Sequence, residues 1–421
     1  MRVLLSAYAC EPNRGSESEV GWRWALELAA GGDDVWVITR SNNREKIESQ
    51  RCAKRSNLHF VYYDLPSIIR KVKKGRRFLY PYAIAWQWGA YKVARKLHEE
   101  VRFDRVHHVT FASLRFPGFM GRLGIPYIIG PVAGGERAPW RLRRDYPLKR
   151  QIRELLRDVA AASIHVDPLV RANLKSAQRI YVTSEESLQL IPRKYRAKTQ
   201  VRLAIGIESV VNALTIKSDR LRNPARLLYT GALIYWKGPH LALKVLALLQ
   251  HKLPGTSLTL IGDGPDKSCF QNIARELRLE AYVCWLAPVD REQLLRMYCD
   301  YDLFLFPSLH DSGGLVVLES LSRGLPVVCL NLGGPGVLVD NSCGRVVDAH
   351  ASQQEVVRGL AGAVSDIAAL SANSMWQVRI GAIERARQYN WEHIVAESKR
   401  NLLVNAVPDG KTICEAWLKP Q

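Results

Sequence analysis

Short apolar runs recur along the chain and alternate with longer stretches whose apolar positions fall at helical spacing. In the first half the runs are RVLLSAY, VWVITR, LHFVYY, DRVHHV, PYIIG and RIYVTS. In the second half they are ARLLYTG, SLTLIGDG, AYVCWLA, DLFLFPS and LPVVCL, with helical patterns such as HLALKVLALLQ between them. β-rich runs interleaved with helices predict parallel sheets wrapped by helices, an α/β class. The module occurs twice without a letter-level repeat, and 421 residues suit two domains of about 200 residues better than one core. The expected architecture is two Rossmann-like domains, each a parallel sheet wrapped by helices. The expected boundaries are 1–205, 206–389 and 390–421, the last holding an amphipathic helix in NWEHIVAESKRNLLV that returns to the first domain, and a tail.

Candidate chemistry gathers where the apolar runs end in glycine. DLFLFPS leads into LHDSGGLVVLESLSRGLPVV, which reads as strand, glycine loop, helix, strand. Gly313 and Gly314 let backbone amides approach a ligand, and a helix beginning near Leu315 and Val316 aims its N-terminus at the same spot, a geometry suited to a diphosphate. Ser312 shares that loop. Asp311 before the helix and Glu319 within it would border one ligand from different sides, where a carboxylate accepts from the vicinal hydroxyls of a ribose or hexose. In LLYTGALIYWKGPHLAL a strand ends at Gly231 and a helix begins after Lys237 and Gly238. Lys237 would neutralise charge growing on a leaving diphosphate.

In the first half, Gly15-Ser16-Glu17 joins the first strand to a helix. The spacing is not GxGxxG, which argues against a dehydrogenase. His107 and His108 lie on one strand, and alternation sends them to opposite faces, so only one can point to a site. There a neutral imidazole can donate to or polarise a sugar hydroxyl. Gly134, Gly135 and Glu136 form a further loop. Asp300-Tyr301-Asp302 spells a metal-binding DxD, but it opens a strand and so lies away from the carboxyl ends where open α/β sheets bind ligands. It reads as structural, and no metal is expected. Ordinary alternatives stand beside these readings: a helix-entry turn at Gly15, a solvated helix residue at Glu319, a core histidine at the second of the pair.

These segments, with LIGDGP (260–265) and its Gly262, resemble the family 4 glycosyltransferases, retaining enzymes of the GT-B fold. The family's hallmark is two acidic residues separated by seven others after a Pro-Ser. The resemblance runs from Gly15 through Trp391 and is most specific between Pro307 and Val328. Two departures stand out: Asp311-Ser312-Gly313-Gly314 replaces the usual Glu and Gly-Phe-Gly, and Ala232 replaces the Arg that commonly follows the glycine. The resemblance implies an acceptor-binding first domain and a donor-binding second domain. The implied donor contacts are Gly15, Ser16, Gly231, Lys237, Gly238, Gly262, Asp311, Ser312, Gly313, Gly314, Leu315, Val316 and Glu319. Catalytic roles fall to Asp311, Lys237 and one of His107 and His108, with His107 preferred by register. Gly134, Gly135 and Glu136 would meet the acceptor. The implied reaction moves a sugar, with retention, from a nucleotide-diphosphate sugar to a glycan or lipid-linked acceptor, in polysaccharide or cell-envelope glycan synthesis, without metal or other cofactor.

Composition refines this picture. With 47% hydrophobic and 24% charged residues the chain is of the folded globular type. Its formal net charge of +20 requires an anionic partner. Basic residues bunch at 69–78, 137–150 and 192–198. The first cluster precedes LYPYAIAWQWGAY (79–91), and basic residues adjoining aromatics predict an interfacial helix on an anionic membrane, with a solvated basic helix next to an ordinary core helix as the alternative. The chain lacks a recognisable basic-aromatic module for nucleic acid, so nucleic acid is not an expected partner. A nucleotide-sugar epimerase of the same fold is the closer rival; it would need acidic and His groups acting on the sugar itself. The eight cysteines are scattered and read as reduced core thiols. No apolar run reaches about 18 residues, and MRVLLSAYACEP reads as a strand. The expected location is cytoplasmic, with peripheral contact at the inner face of the plasma membrane.

Overall fold

The computed structural model describes residues 1–403, apart from 13, 73–77, 111–112, 145, 209 and 212–223. Seven strands form the first sheet: β1 (Arg2–Ser6), β2 (Asp34–Thr39), β3 (Leu58–Tyr62), β4 (Arg105–His108), β5 (Tyr127–Val132), β6 (Arg179–Val182) and β7 (Thr199–Val201). They are ordered β3-β2-β1-β4-β5-β6-β7. The second sheet holds β8 (Arg226–Thr230), β9 (Ser257–Ile261), β10 (Val283–Leu286), β11 (Leu303–Phe306), β12 (Val327–Leu330) and β13 (Gly344–Val347), ordered β10-β9-β8-β11-β12-β13. Every pairing is parallel. All eleven apolar runs of the sequence are strands; β7 and β13 are additional edge strands.

In each sheet the order reverses once, between β1 and β4 and between β8 and β11. The loops leaving those strands diverge to opposite faces, opening a crevice at the carboxyl ends. Gly15 follows β1, Lys237 follows β8 and Asp311 follows β11, so the topology alone brings the main sequence candidates to the two crevices.

Strand alternation sets the core. Val3 and Leu5 face helix Ser16–Ala30 with Trp22 and Trp24, while Leu4 faces helix Leu79–Val101 with Tyr82 and Trp86. That second helix buries Tyr82, Ala83, Trp86, Ala90 and Ala94. Of the two sequence readings, an ordinary core helix describes this element: Tyr82 and Trp86 fill the space over the sheet, while Tyr80 and Trp88 stay partly exposed. Most of the adjoining basic cluster, 73–77, lies outside the described residues.

The chain crosses between the halves twice. Leu203, Ile205 and Ile207 pack into the second core, and Ile207 bridges Asn390 on the return. Helix Trp391–Leu403 then lies on the first domain. Trp391, Ile394 and Val395 join the cluster around helix Ser16–Ala30, and Lys399 Nζ reaches Asp33 at 3.1 Å. Asp302 is buried and its Oδ2 accepts from Arg226 N at 2.8 Å, which ties down the starting edge of β11. Cys10, Cys329 and Cys343 are buried, whereas Cys269, Cys284 and Cys299 are exposed. The expectation of core thiols therefore fails for those three. Cys414 lies outside the described residues.

Candidate functional site

The loops after β8 and β11 are neighbours because their strands pair. They are tied by Leu309 N donating to Trp236 O at 2.9 Å. Gly238, left-handed at φ 76°, caps helix Pro239–Lys252. A Cβ there would stand 2.0 Å from Pro307 O, so only glycine lets the loops approach this closely. Gly238 thus serves packing rather than lining the hollow. Its neighbour Lys237 projects across, and its Nζ donates to Asp311 Oδ2 at 2.6 Å.

The other oxygen of Asp311 turns back on its own loop. Oδ1 accepts from Gly313 N at 3.1 Å and Gly314 N at 2.8 Å. Asp311 is therefore held on three sides, and it occupies amides that would otherwise face an anion. Beyond it, helix Leu315–Ser322 starts at the left-handed Gly314, with the first-turn amides of Leu315 and Val316 lacking an intrahelical acceptor.

A hollow of about 400 Å³ lies between the domains here. Lys237 and the whole run Asp311 to Val316 line it from the second domain; Glu17, Pro131 and Thr183 face them from the first. Gly231 and Gly262 line an adjoining hollow of about 220 Å³ in the second domain. Gly15 is the N-cap of helix Ser16–Ala30, and Ser16 opens that helix just before Glu17.

Glu319 lines neither hollow. It is buried, and Arg291 Nε donates to its Oε1 at 2.8 Å. Burial raises its carboxyl above the usual range, and Arg291 partly offsets that shift. Arg291 opens helix Arg291–Met297, whose Leu294 lines the hollow with Gly231 and Gly262. Ligand contact by Glu319 therefore requires Arg291 to move aside or share the carboxylate.

Three first-domain expectations are corrected. His107 and His108 do point to opposite faces, but neither lines the cleft. His107 donates from Nε2 to Gly130 O at 2.7 Å beneath the edge of Trp24. His108 meets Ser6 Oγ at 3.2 Å. Burial pushes their pKa values down to about 3 and about 4, so both are neutral core groups near pH 7. Glu136 is buried and saturated: Oε1 accepts from Thr183, Ser184 and Ser187 hydroxyls, each at 2.9 Å. Its Oε2 accepts from Gly134 N at 2.9 Å. That carboxylate staples the loop after β5 to the start of helix Glu185–Leu190 and has no spare face for an acceptor. Gly135 alone of this trio lines a hollow, one of about 440 Å³ shared with Arg137, Trp140, His165 and His350.

The sequence reading missed several groups. Glu186 Oε1 accepts from Gly333 N across the cleft at 2.9 Å. Arg150 Nη2 bridges to Asp266 Oδ1 at 2.8 Å, and Asp266 Oδ2 also accepts from Tyr235 N at 3.1 Å. The basic cluster 137–150 signalled Arg150, but not its partner more than a hundred residues away.

Two open parallel sheets, with their switch points turned toward one cleft and a glycine loop opening a helix there, define the GT-B architecture. Sucrose-phosphate synthase from Thermosynechococcus elongatus superposes with a TM-score of 0.64 at 18% identity, covering 96% of this chain and all of that one. Anabaena Alr3699/HepE in complex with UDP-glucose gives 0.53 at 16% identity, over 96% of this chain and all of that one; at such identities the likeness concerns the fold. Residues 214–373 match the family described as glycosyl transferases group 1. A glycogen synthase of Mycobacterium tuberculosis is 32% identical over 171 residues, 41% of this chain and 40% of the relative. The chain thus aligns with about two fifths of that relative's length. Residues 214–373 thus resemble the group 1 glycosyl transferases, and the chain as a whole has the fold of GT-B enzymes.

Proposed function

We propose that the chain is a retaining glycosyltransferase that takes a sugar from a nucleotide-diphosphate sugar and delivers it to a glycan or lipid-linked acceptor in the synthesis of a polysaccharide or cell-envelope glycan. The observation that carries this reading is the meeting of Lys237 with the Asp311–Val316 loop at the second switch point. A cation, a glycine loop and a helix N-terminus converge there on one hollow. These are the groups that stabilise a departing diphosphate. The neighbour solved with UDP-glucose and the glycogen synthase relative favour a nucleoside diphosphate hexose as donor.

In this reading the bond from the anomeric carbon to the diphosphate oxygen breaks while a bond to the acceptor oxygen forms on the same face. The acceptor's proton passes to the departing diphosphate, and Lys237 with the loop amides takes up its charge. Asp311 is pinned by Lys237 and two amides, which suits orienting the sugar rather than attacking it. The hollow lined by Gly135, Arg137 and Trp140 supplies an approach for the acceptor. As a peripheral protein the chain would meet that acceptor at the inner face of the plasma membrane.

The test is nucleotide release. Purified protein is incubated with a panel of nucleotide sugars and candidate glycan acceptors, and free nucleoside diphosphate is measured for wild type and Lys237→Met. Acceptor-dependent release lost in the variant supports the reading. Interconversion of the sugar nucleotide without release would replace it with an epimerase.

A further inference from the structure

The helix Leu148–Ala162 has its polarity reversed relative to an ordinary surface helix. Its charged side is turned inward: Glu154 is buried and paired with Arg157 at 3.0 Å, Arg143 binds Asp158 at 2.6 Å, and Arg150 reaches Asp266. Its outward side is apolar. Leu148, Ile152, Leu155, Leu156 and Val159 are 71%, 50%, 54%, 64% and 64% exposed. The spacing i, i+4, i+7, i+8, i+11 places them in one stripe along the helix. A soluble surface does not ordinarily leave five large aliphatic side chains aligned in water, and such a patch marks an interaction site.

The residues beside the stripe indicate what covers it. Lys149 and Arg153 flank it on the helix and are exposed, as are Arg141 and Arg144 just before it. Both acids of the helix, Glu154 and Asp158, are spent on the inward ion pairs. The outward face is thus apolar along its middle and positive at its margin. That is the pattern of a helix lying in the plane of a bilayer, with aliphatic side chains among the acyl chains and cations at anionic headgroups.

We propose that helix Leu148–Ala162 docks the first domain onto an anionic lipid surface. The surface is distinct from the 69–91 segment, where Tyr82 and Trp86 belong to the core and Phe78, Tyr80 and Trp88 stay partly exposed. The proposal deepens the peripheral part of the functional reading and rests on it only for the idea that the acceptor is membrane-borne. Because the assay below contains neither donor nor acceptor, its failure would leave the transferase reading standing.

The experiment is cosedimentation of the full chain with vesicles of phosphatidylcholine alone, or with phosphatidylglycerol added, at low and high salt. Wild type should bind the anionic vesicles, weaken with salt and ignore the neutral ones. Each basic residue at such a surface is worth about a fivefold change in partitioning, so Lys149→Glu with Arg153→Glu should lower binding by at least about 25-fold. Leu155→Glu with Val159→Glu should abolish binding while keeping the wild-type melting temperature, since both positions are exposed. Failure of wild type to bind anionic vesicles overturns the proposal. So does undiminished binding by the Leu155/Val159 variant, which would place the contact elsewhere on the chain. A concentration-dependent dimer lost in that variant, with vesicle binding unchanged, would overturn it in favour of a second copy of this chain.

Discussion

Under the proposed function Asp311 would be both a donor-site residue and a stand-in for the ligand, and the two roles separate in one substitution. Its carboxylate occupies Lys237 and the amides of Gly313 and Gly314, the groups expected to hold a diphosphate. A nucleotide bound as proposed would therefore displace it from at least part of this set. Asp311→Asn keeps an amide oxygen to accept from the two loop N–H groups but replaces the oxygen facing Lys237 with a donor, which frees the ammonium. The ion pair is partly buried, with side chains 21% and 17% exposed, so it exceeds an exposed pair and falls below a sealed one, about 1–2 kcal/mol. If that interaction competes with the ligand, its removal should tighten nucleoside diphosphate binding by about 5- to 30-fold, while turnover falls because the sugar loses its orienting group. Isothermal titration of UDP, GDP and ADP into wild type and Asp311→Asn would measure the first effect, and nucleotide release the second. Equal or weaker binding by the variant, with the fold intact, would refute the idea that Asp311 stands in for phosphate.

Three further outcomes follow from the geometry. Arg291→Ala should destabilise the protein more at pH 7 than at pH 4: the Glu319 carboxyl, already raised by burial, loses the cation that offsets it. A carboxyl with a raised folded pKa makes the native state lose stability as pH climbs from its ordinary value through the raised one, so thermal melts across pH 4–7 should diverge from wild type upward in pH, and parallel curves would contradict the assignment. His107 and His108, depressed to about 3 and about 4, act in the opposite direction: stability should fall as pH drops below about 6.5, by roughly 1.4 kcal/mol per pH unit for each histidine. His107→Gln should halve that slope in urea titrations at pH 7 and 5.5, and an unchanged slope would mean that His107 protonates freely in the native state. Arg150→Ala removes the bridge to Asp266 and should weaken domain closure by about 1 kcal/mol, or about fivefold in the open-to-closed ratio. Small-angle scattering should show a larger radius of gyration, and an identical profile would assign closure to other contacts.

How much of this was legible in the sequence depended on whether the relevant signal was local. Short apolar runs marked eleven of the thirteen strands, since a buried parallel strand needs only its own side chains to declare itself. TQV in β7 and GRVV in β13 are short edge strands without such a run, and only their neighbours make them strands. The DSGG loop was equally readable, because glycine, helix and strand follow within a few residues. The histidines were half readable: alternation separates His107 from His108, but nothing local reveals that Trp24 on a distant helix roofs the face of His107. Glu136 needed three hydroxyls 47 to 51 residues downstream to become a staple. Helix 148–162 carries its amphipathic period in the sequence, yet the period cannot say which face turns inward; the partners of Glu154 and Asp158 decide that.

Three polar positions, two at the cleft and the third the buried Glu319, share one trait: each is already matched by a side chain of the protein itself. Asp311 fills the glycine-loop amides and Lys237, Arg291 covers Glu319, and Glu186 caps the amide of Gly333 from the opposite domain. Polar groups left bare in a partly dry cleft cost a large share of their hydration, so an empty site gains stability by pairing internally. The consequence for recognition is that ligand affinity is a difference between exchanged contacts. A ligand that meets only one of these positions breaks an internal pair and replaces it with a similar one, for little net gain. A molecule with phosphates for the loop and Lys237, and hydroxyls for Glu319, replaces several pairs at once and adds burial of its own surface. Under the proposed function, the internal pairs would therefore raise discrimination in favour of a complete nucleotide-diphosphate sugar over free phosphate or free sugar. The Glu186 contact to Gly333 also links that exchange to the relative placement of the two domains.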